Sequence, residues 1–193
     1  MKFCSECASP VSLSIPAGDN RPRYVCSNCA AIHYQNPKMV LGSIPVWERD
    51  GELKVLLCQR AIEPRHGYWT LPAGFMENAE TTGEAAMRET EEEAGANIKL
   101  GPLFTLLNVA RVHQVHMFYL AELLDLDFAP GVESLDVRLF SEAEIPWHDL
   151  AFPTIRTTLE LFFADRVKIR EGGGYGFHTQ DITRTMRSDL DPS

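Results

Sequence analysis

The chain has 193 residues, of which 45% are hydrophobic and 23% are charged, and its formal net charge is −9. This composition predicts an ordinary globular protein with one main domain and a small appendage. The acidic balance argues against tight binding to a nucleic-acid backbone, which depends on lysine and arginine. No stretch approaches the roughly 18 apolar residues of a membrane-spanning helix, and no apolar signal region precedes Cys4. We therefore expect a cytoplasmic protein with no membrane partner.

Four of the five cysteines form two C-x-x-C pairs with 18 residues between the pairs: Cys4 and Cys7, then Cys26 and Cys29. This spacing is typical of a structural zinc ribbon, in which four thiolates bind one Zn²⁺ and leave no open position for chemistry. Two disulfides are the alternative, which a reducing cytosol disfavours. His33 lies nearby, but four thiolates already saturate the ion, so we expect it not to be a ligand. The ribbon is predicted over residues 1–35.

A second domain is predicted over residues 36–170, after the turn signal Asn36-Pro37. Two strand-like runs come first, "KMVLGSIPVW" and "LKVLLCQR", with Asp50-Gly51 as the hairpin turn between them. A glutamate-rich segment separates them from three more strand-like runs, "NIKLGPLFTLLNV", "RVHQVHMFYLAEL" and "LDVRLF". This mixed order of elements predicts an α+β sandwich.

Helix signals mark the end of this domain. Ser141 and Glu144 have the spacing of a capping box that opens a short helix. Thr154 is predicted to cap a last helix through "IRTTLELFFADRV", which has an apolar face. Residues 171–193, with three consecutive glycines and a polar end, are expected to form a flexible tail.

The glutamate-rich segment is itself predicted to be a helix. Thr81 and Glu84 have capping-box spacing, so the helix begins near Thr82, and Gly95 is a natural C-terminal stop. Three glutamates of this helix fall on one face, within roughly 100° of one another: Glu89, Glu92 and Glu93.

This glutamate cluster predicts a bound cation, because like charges three and four residues apart on a helix repel each other. Hard carboxylate oxygens suit Mg²⁺ or Mn²⁺, which shares its coordination shell with substrate phosphates. Arg88 stands one turn before Glu92 and could hold a carboxylate in a bidentate contact. A solvated helix face is the alternative interpretation.

The segment around this helix resembles the Nudix box. Gly74, five residues, Glu80 and seven residues precede the segment 88–96, which follows the pattern R-E-U-x-E-E-x-G-U, where U is bulky and aliphatic. Thr90 and Ala96 depart from the pattern at its two aliphatic positions. The resemblance covers roughly residues 37–165. It implies an α/β/α sandwich and the hydrolysis of a diphosphate linked to another moiety, by water attack on phosphorus with several divalent ions.

The resemblance also implies the roles of individual residues. Glu89, Glu92 and Glu93 would be metal ligands, the backbone carbonyl of Ala73 a further ligand, and Arg88 the residue that orients the carboxylates. Glu133 lies where Nudix enzymes often supply an additional carboxylate as base or ligand; a solvated loop residue is the alternative.

Two further residues are candidates for substrate binding. Arg60, like Arg65, could reach substrate phosphates, and surface arginine is the alternative. Tyr68, like Trp69, could stack on a base or a flavin ring, and an aromatic packing residue is the alternative.

The substrate is narrowed by resemblance alone. A zinc ribbon ahead of a Nudix domain is similar to the NADH pyrophosphatases, but their SQPWPFPxS stretch has no counterpart here. The segments "YQNPKMV" and "HGYWTLPAGFMENAE" resemble the zinc-ribbon Nudix enzymes that include plant plastid FAD pyrophosphatases. We therefore expect cleavage of FAD to FMN and AMP, or of ADP-ribose, and the family leads us to expect a homodimer. The alternatives are an NADH pyrophosphatase, a nucleoside triphosphate pyrophosphohydrolase and a non-catalytic nucleotide-binding regulator.

Overall fold

The computed structural model describes residues 1–170 and 172–183. The chain divides into two compact units, the first ending at Pro37 and the second beginning at Lys38. Within the described residues, no helix combines the length and the apolar character needed to cross a bilayer.

The first unit is a three-stranded antiparallel sheet with strand order β1-β2-β3. Its strands are β1 (Val11–Ser14), β2 (Arg23–Cys26) and β3 (Ile32–His33). Each C-x-x-C turn closes with a backbone hydrogen bond to the carbonyl of its first cysteine, donated by Ala8 to Cys4 at 3.0 Å and by Ala30 to Cys26 at 3.1 Å. Both alanines have a φ of 58°, so the two cysteine turns share one backbone geometry.

The second unit contains an eight-stranded mixed sheet with the order β10-β5-β4-β9-β8-β11, in which β6 pairs with β5 and β7 pairs with β4. Pairs β4·β9 and β8·β11 are parallel, and the other pairs are antiparallel. The strands are β4 (Lys38–Arg49), β5 (Glu52–Arg60), β6 (Trp69–Thr70), β7 (Ala73–Phe75), β8 (Ile98–Val109), β9 (Gln114–Leu123), β10 (Ser134–Phe140) and β11 (His178–Asp181).

The first helix, α1 (Thr82–Ala94), begins and ends as its sequence predicts. Thr81 accepts a hydrogen bond from the N–H of Glu84, whose side chain accepts one from the N–H of Thr81, so the capping box is complete. Gly95 closes the helix in the left-handed region, with a φ of 59°.

The second helix, α2 (Pro153–Arg170), differs from the prediction at its start. Proline at the first helical position supplies a suitable φ and needs no hydrogen-bond partner for its nitrogen. Thr154 therefore lies inside the helix, and its hydroxyl finds no partner among the described residues. The predicted threonine cap is wrong. The predicted capping box between Ser141 and Glu144 does form, at the start of the short 3-10 helix Glu142–Glu144.

The sheet is covered on both faces, as the predicted α/β/α sandwich requires. Leu41 and Ile44 of β4 are three positions apart in the strand, so their side chains lie on opposite faces of the sheet. Leu41 belongs to a buried cluster with Ala85 and Ala86 of α1. Ile44 belongs to a larger cluster that includes Leu159 of α2. The mixed sheet thus lies between the two helices.

The segment after α2 returns to the sheet and adds β11 beside β8. Asp165, which is buried, accepts hydrogen bonds from the N–H of Gly176 and from Nε2 of His178, each at 2.8 Å. Tyr175 stacks on Phe162, with ring centroids 5.6 Å apart. The predicted flexible tail is thus wrong for His178–Asp181, because a buried carboxylate and an aromatic stack hold this segment. Residues 171 and 184–193 of that prediction lie outside the described residues.

Candidate metal centre and active site

The four predicted zinc ligands come together in the first unit. The Sγ atoms of Cys4 and Cys29 are 3.6 Å apart, and Sγ of Cys7 lies 3.5 Å from Sγ of both Cys26 and Cys29. All four sulfurs lie within 4.8 Å of one another. A tetrahedral Zn²⁺ with Zn–S bonds of about 2.3 Å places its sulfurs about 3.8 Å apart. The donor set and its spacing therefore fit one Zn²⁺.

Arg88 of α1 holds the acidic groups around it. Its guanidinium forms a bidentate contact with Glu80, at 3.0 Å from Nε and 2.9 Å from Nη2. Nη1 donates to Glu89 at 2.7 Å and to Glu92 at 3.0 Å, and Nη2 donates to the carbonyl of Phe75 at 3.2 Å. The sequence indicated the contact with Glu92 and missed Glu80 as the bidentate partner. The Arg88 hydrogen bonds lower the pKa of Glu80.

Glu93 is buried under the loop that precedes α1. Its Oε2 accepts a hydrogen bond from the backbone N–H of Ala73 at 3.0 Å. Burial raises the pKa of Glu93 to about 8, and repulsion by Glu89 and Glu133 adds to this, whereas the Ala73 N–H and the charge of Arg60 oppose it. A carboxylate in this environment favours a proton or a nearby cation.

Glu89 is the second buried glutamate, and its carboxylate lies directly against Gly74. A Cβ on Gly74 would be 2.3 Å from the nearest carboxylate oxygen, so only glycine leaves room for this side chain. Burial raises the pKa of Glu89, and the hydrogen bond from Arg88 opposes the increase. The side chain of Glu92 is 59% exposed and can therefore change partners more easily.

Residues 129–134 dock on the C-terminal end of α1. The backbone N–H groups of Ala129 and Gly131 donate to the carbonyls of Ala94 and Glu93, at 2.9 and 3.1 Å. The last turn of a helix leaves its carbonyls without partners inside the helix, so these bonds satisfy groups that would otherwise need water. The sequence of residues 129–134 gave no indication of this contact.

This docking brings Glu133 to the glutamate cluster. A Cβ on Gly131 would lie 1.7 Å from the carbonyl oxygen of Glu92, so the loop backbone touches the helix backbone. The carbonyl of Glu133 accepts the N–H of Ala61 at 2.8 Å, which fixes the loop from its other side. The charge of Glu133 contributes to the raised pKa of both buried glutamates.

Of the two candidate substrate-binding residues, Arg60 lies near the cluster, since its charge lowers the pKa of Glu93. Its Nε donates to the carbonyl of Pro64 at 2.9 Å, and its guanidinium lies 5.1 Å from the centre of the Phe152 ring. Tyr68 instead packs against the guanidinium of Arg65, 5.1 Å from its ring centre.

In the part of the chain that the structure describes, the cysteines are the only group of Cys, His, Asp or Glu gathered closely enough to share one ion. The glutamates are spread around Arg88, which already supplies a positive charge. Their donors are nevertheless hard oxygens, and the raised pKa values of Glu89 and Glu93 show that more positive charge would be favourable there. The set fits Mg²⁺ or Mn²⁺.

Comparison with known structures identifies a protein that is similar over almost the whole chain. It is a NUDIX hydrolase from Nitrosomonas europaea that is 52% identical, with a TM-score of 0.85, and the match covers 94% of this chain and 99% of that one. The NUDIX domain of Shewanella oneidensis NrtR, solved with ADP ribose, is 24% identical with a TM-score of 0.56 and shares the fold.

Curated relatives match at lower identity. The NAD-capped RNA hydrolase NudC of Photobacterium profundum is 30% identical over 75% of this chain and 51% of its own length, so this chain spans about half of that relative. The ADP-ribose pyrophosphatase of Methanocaldococcus jannaschii is 27% identical over 58% of this chain and 67% of its own length.

Family models match both units separately. The zinc-ribbon model described as Nudix N-terminal covers residues 2–35, and the NUDIX domain model covers residues 38–162. The second match includes the whole glutamate cluster and the docked loop that carries Glu133. The chain therefore belongs to the Nudix family, as a NUDIX domain preceded by the family's zinc ribbon.

Proposed function

We propose that the chain is a metal-dependent hydrolase that cleaves the diphosphate of a dinucleotide-type substrate, with FAD and ADP-ribose as the first candidates. One observation carries the proposal: Glu89, Glu92 and Glu93 of α1 share their surroundings with Glu133, which a separate loop brings to the end of the same helix. So many carboxylates around one position are costly unless cations are bound there.

The three glutamates of α1 and the carbonyl of Ala73 would hold Mg²⁺ or Mn²⁺ beside the substrate. When bound, such ions lower the pKa of a coordinated water and neutralise charge on the phosphate oxygens. Arg88 orients Glu89 and Glu92 through Nη1, and Glu80 holds Arg88 in turn.

Other residues of the chain would act on the substrate directly. Glu133 sits on a loop fixed at both ends and can accept a proton from the attacking water. Arg60 would contribute positive charge to a phosphate, since it is close enough to affect the pKa of Glu93. Tyr68, which packs on the guanidinium of Arg65, would contact the base or the flavin ring.

The relatives support a nucleotide diphosphate and leave two substrate types to compare. The relative from Methanocaldococcus jannaschii is an ADP-ribose pyrophosphatase. This similarity supports a small dinucleotide-like substrate for the present chain. NudC is an NAD-capped RNA hydrolase, which favours an NAD-type diphosphate as the second candidate. The net charge of −9 weighs against a long RNA substrate, because RNA binding depends on positive charge.

The test is a substrate panel of FAD, ADP-ribose, NADH, NAD-capped RNA and dGTP, each with Mg²⁺ or Mn²⁺, with products separated by chromatography. We expect FMN and AMP from FAD, with no free phosphate or pyrophosphate. EDTA should remove both activity and FAD binding, because an acidic site holds a diphosphate through its cations. Much faster release of pyrophosphate from dGTP would assign the triphosphate class. If FAD still binds in the presence of EDTA, and no substrate is turned over even with Mg²⁺ or Mn²⁺, the protein would be a nucleotide-binding regulator.

A further inference from the structure

The sulfurs of the zinc ribbon accept hydrogen bonds from the backbone. Cys4 and Cys26 are buried, whereas Cys29 is exposed. Sγ of Cys4 accepts the backbone N–H of Glu6 at 3.4 Å, and Sγ of Cys26 accepts the N–H of Cys29 at 3.5 Å. Hydrogen bonds of this kind disperse the charge of metal-bound thiolates, which total four negative charges around one Zn²⁺.

Cys4 has a second nitrogen neighbour, the imidazole of His33. Nε2 of His33 lies 3.3 Å from Sγ of Cys4. A metal-bound thiolate carries no proton, so at this contact the sulfur can only accept and the ring nitrogen must donate. The ring therefore carries a proton on Nε2 at this contact.

The ribbon backbone explains how His33 reaches this place. His33 pairs with Tyr24 in the antiparallel ladder between β2 and β3. Its neighbour Ile32 pairs with Val25 and points to the opposite face of the sheet. The sheet therefore directs the imidazole, and not the isoleucine, to the sulfurs.

We propose that His33 is a positioning residue for the ribbon zinc: it donates a hydrogen bond from Nε2 to the thiolate of Cys4 and slows release of the metal without binding it. Four sulfurs within 4.8 Å of one another already complete a tetrahedral set. Partners of metal ligands commonly fix ligand orientation, and their loss costs about 10-fold to 100-fold in metal affinity.

Zinc release from the full-length protein tests the proposal. Holo-protein is mixed with the colorimetric chelator 4-(2-pyridylazo)resorcinol after metal analysis has established one Zn²⁺ per chain. His33→Ala should release zinc about 10-fold faster than the natural protein. His33→Gln keeps an N–H donor at a similar reach and should restore slow release. Ile32→Ala is the matched control, because it truncates the same strand on the face away from the sulfurs and should release zinc slowly.

The outcomes separate the role of His33 from the ribbon itself. Equal rates for His33→Ala and the natural protein, or His33→Gln behaving like His33→Ala, would overturn the proposal. If Ile32→Ala releases zinc as fast as His33→Ala, the faster release would reflect lost strand stability, and this result would also overturn the proposal. A natural protein without zinc would contradict the ribbon assignment first, while leaving the hydrolase proposal for the second unit untouched.

Cobalt substitution tests whether His33 is a ligand. The d–d bands of tetrahedral Co²⁺ differ between four sulfur ligands and three sulfurs with one nitrogen. The natural protein and His33→Ala should give the same four-sulfur spectrum. A spectrum that changes from mixed to all-sulfur coordination in His33→Ala would make His33 a ligand and overturn its positioning role.

Discussion

The cysteine cluster and the glutamate cluster both gather negative groups, but they arrange them differently. In the ribbon, sulfurs from two distant turns lie 3.5–3.6 Å apart, close to the spacing that one ion imposes. Arg88 of α1 instead supplies a cation to the carboxylates around it, with contacts to Glu89 and Glu92 of the helix and to Glu80 before it. We infer from this difference that metal binding would contribute more to folding in the ribbon than in the NUDIX domain, where Arg88 already supplies positive charge to the carboxylates.

Removal of one ribbon ligand should produce the largest effect. Cys4→Ser leaves three thiolates, and structural zinc contributes about 10 kcal/mol or more of folding free energy in small zinc domains. Hydrogen exchange should show loss of protection across residues 1–35, with protection in the NUDIX domain retained. Cys58→Ser, which changes a cysteine of β5 outside the cluster, is the control and should keep its zinc. A protected ribbon in Cys4→Ser would show that the ribbon folds without its full set of zinc ligands.

Loss of one carboxylate charge on α1 should abolish turnover while the domain stays folded. Glu93→Gln keeps the shape of the side chain but loses its charge, and about 3 kcal/mol of lost transition-state stabilisation lowers turnover by about 10²-fold. Glu92→Gln should behave in the same way. Without metal, and above the raised Glu93 pKa of about 8, Glu93→Gln should be slightly more stable, because one member of a repelling group is gone.

The matched control is Glu91→Gln on the same helix, where the side chain is exposed. This variant should keep full turnover and the same stability. Normal turnover in Glu93→Gln, or an equal loss in Glu91→Gln, would contradict the assignment of the site.

Gly74→Ala should move a carboxylate of the glutamate cluster without removing it. The new Cβ would lie 2.3 Å from the Glu89 carboxylate, so the side chain must shift. A displacement of about 1 Å near an active site can cost about 10²-fold in rate, and we expect about 10-fold here. Gly174→Ala is the control, since a Cβ there meets nothing within 4 Å. Unchanged steady-state rates in Gly74→Ala would show that the position of Glu89 is not critical.

Asp165→Asn should leave the cysteine cluster and the glutamate cluster unchanged and weaken only the C-terminal strand. Burial raises the pKa of Asp165, but hydrogen bonds from Lys168, Gly176 and His178 outweigh burial and lower this pKa to about 2. A depressed carboxyl pKa stabilises the fold above the unfolded value, so this contribution is full above about pH 4 and is lost as the pH falls towards about 2. At neutral pH it is about 2 kcal/mol.

Denaturant unfolding across this pH range checks that prediction. The stability difference between the natural protein and Asp165→Asn should shrink steadily below about pH 4. A difference that does not change with pH would show that the carboxylate charge is not what holds His178–Asp181 in the sheet.

Local sequence signals predicted the gathering of the four cysteines and the limits of α1. The capping box at Thr81 and the stop at Gly95 depend on neighbouring residues, and both formed as expected. The cysteine pairs and the Nudix box can likewise be recognised from the spacing of their residues in the sequence, without knowledge of the fold.

Two of the features that the sequence did not predict depend on contacts between distant segments. The partners of the last α1 carbonyls come from Ala129 and Gly131, whose sequence is that of an ordinary loop. The anchoring of β11 depends on Asp165, which looks like any other polar residue of an amphipathic helix. The proline start of α2 shows a different limit, since two adjacent residues offered competing signals and the backbone geometry of proline decided between them.

The backbone contact at Gly131 also limits how this enzyme family member could be re-engineered. A loop grafted from another protein would need glycine at this position, because any side chain would collide with the carbonyl of Glu92 at 1.7 Å. The adjacent Val132 is 97% exposed and has no such restriction. A library built at Val132 could therefore vary the surface beside Glu133 while the loop keeps its length and its backbone contacts. Val132 is thus a position open to diversification, whereas Gly131 must stay fixed.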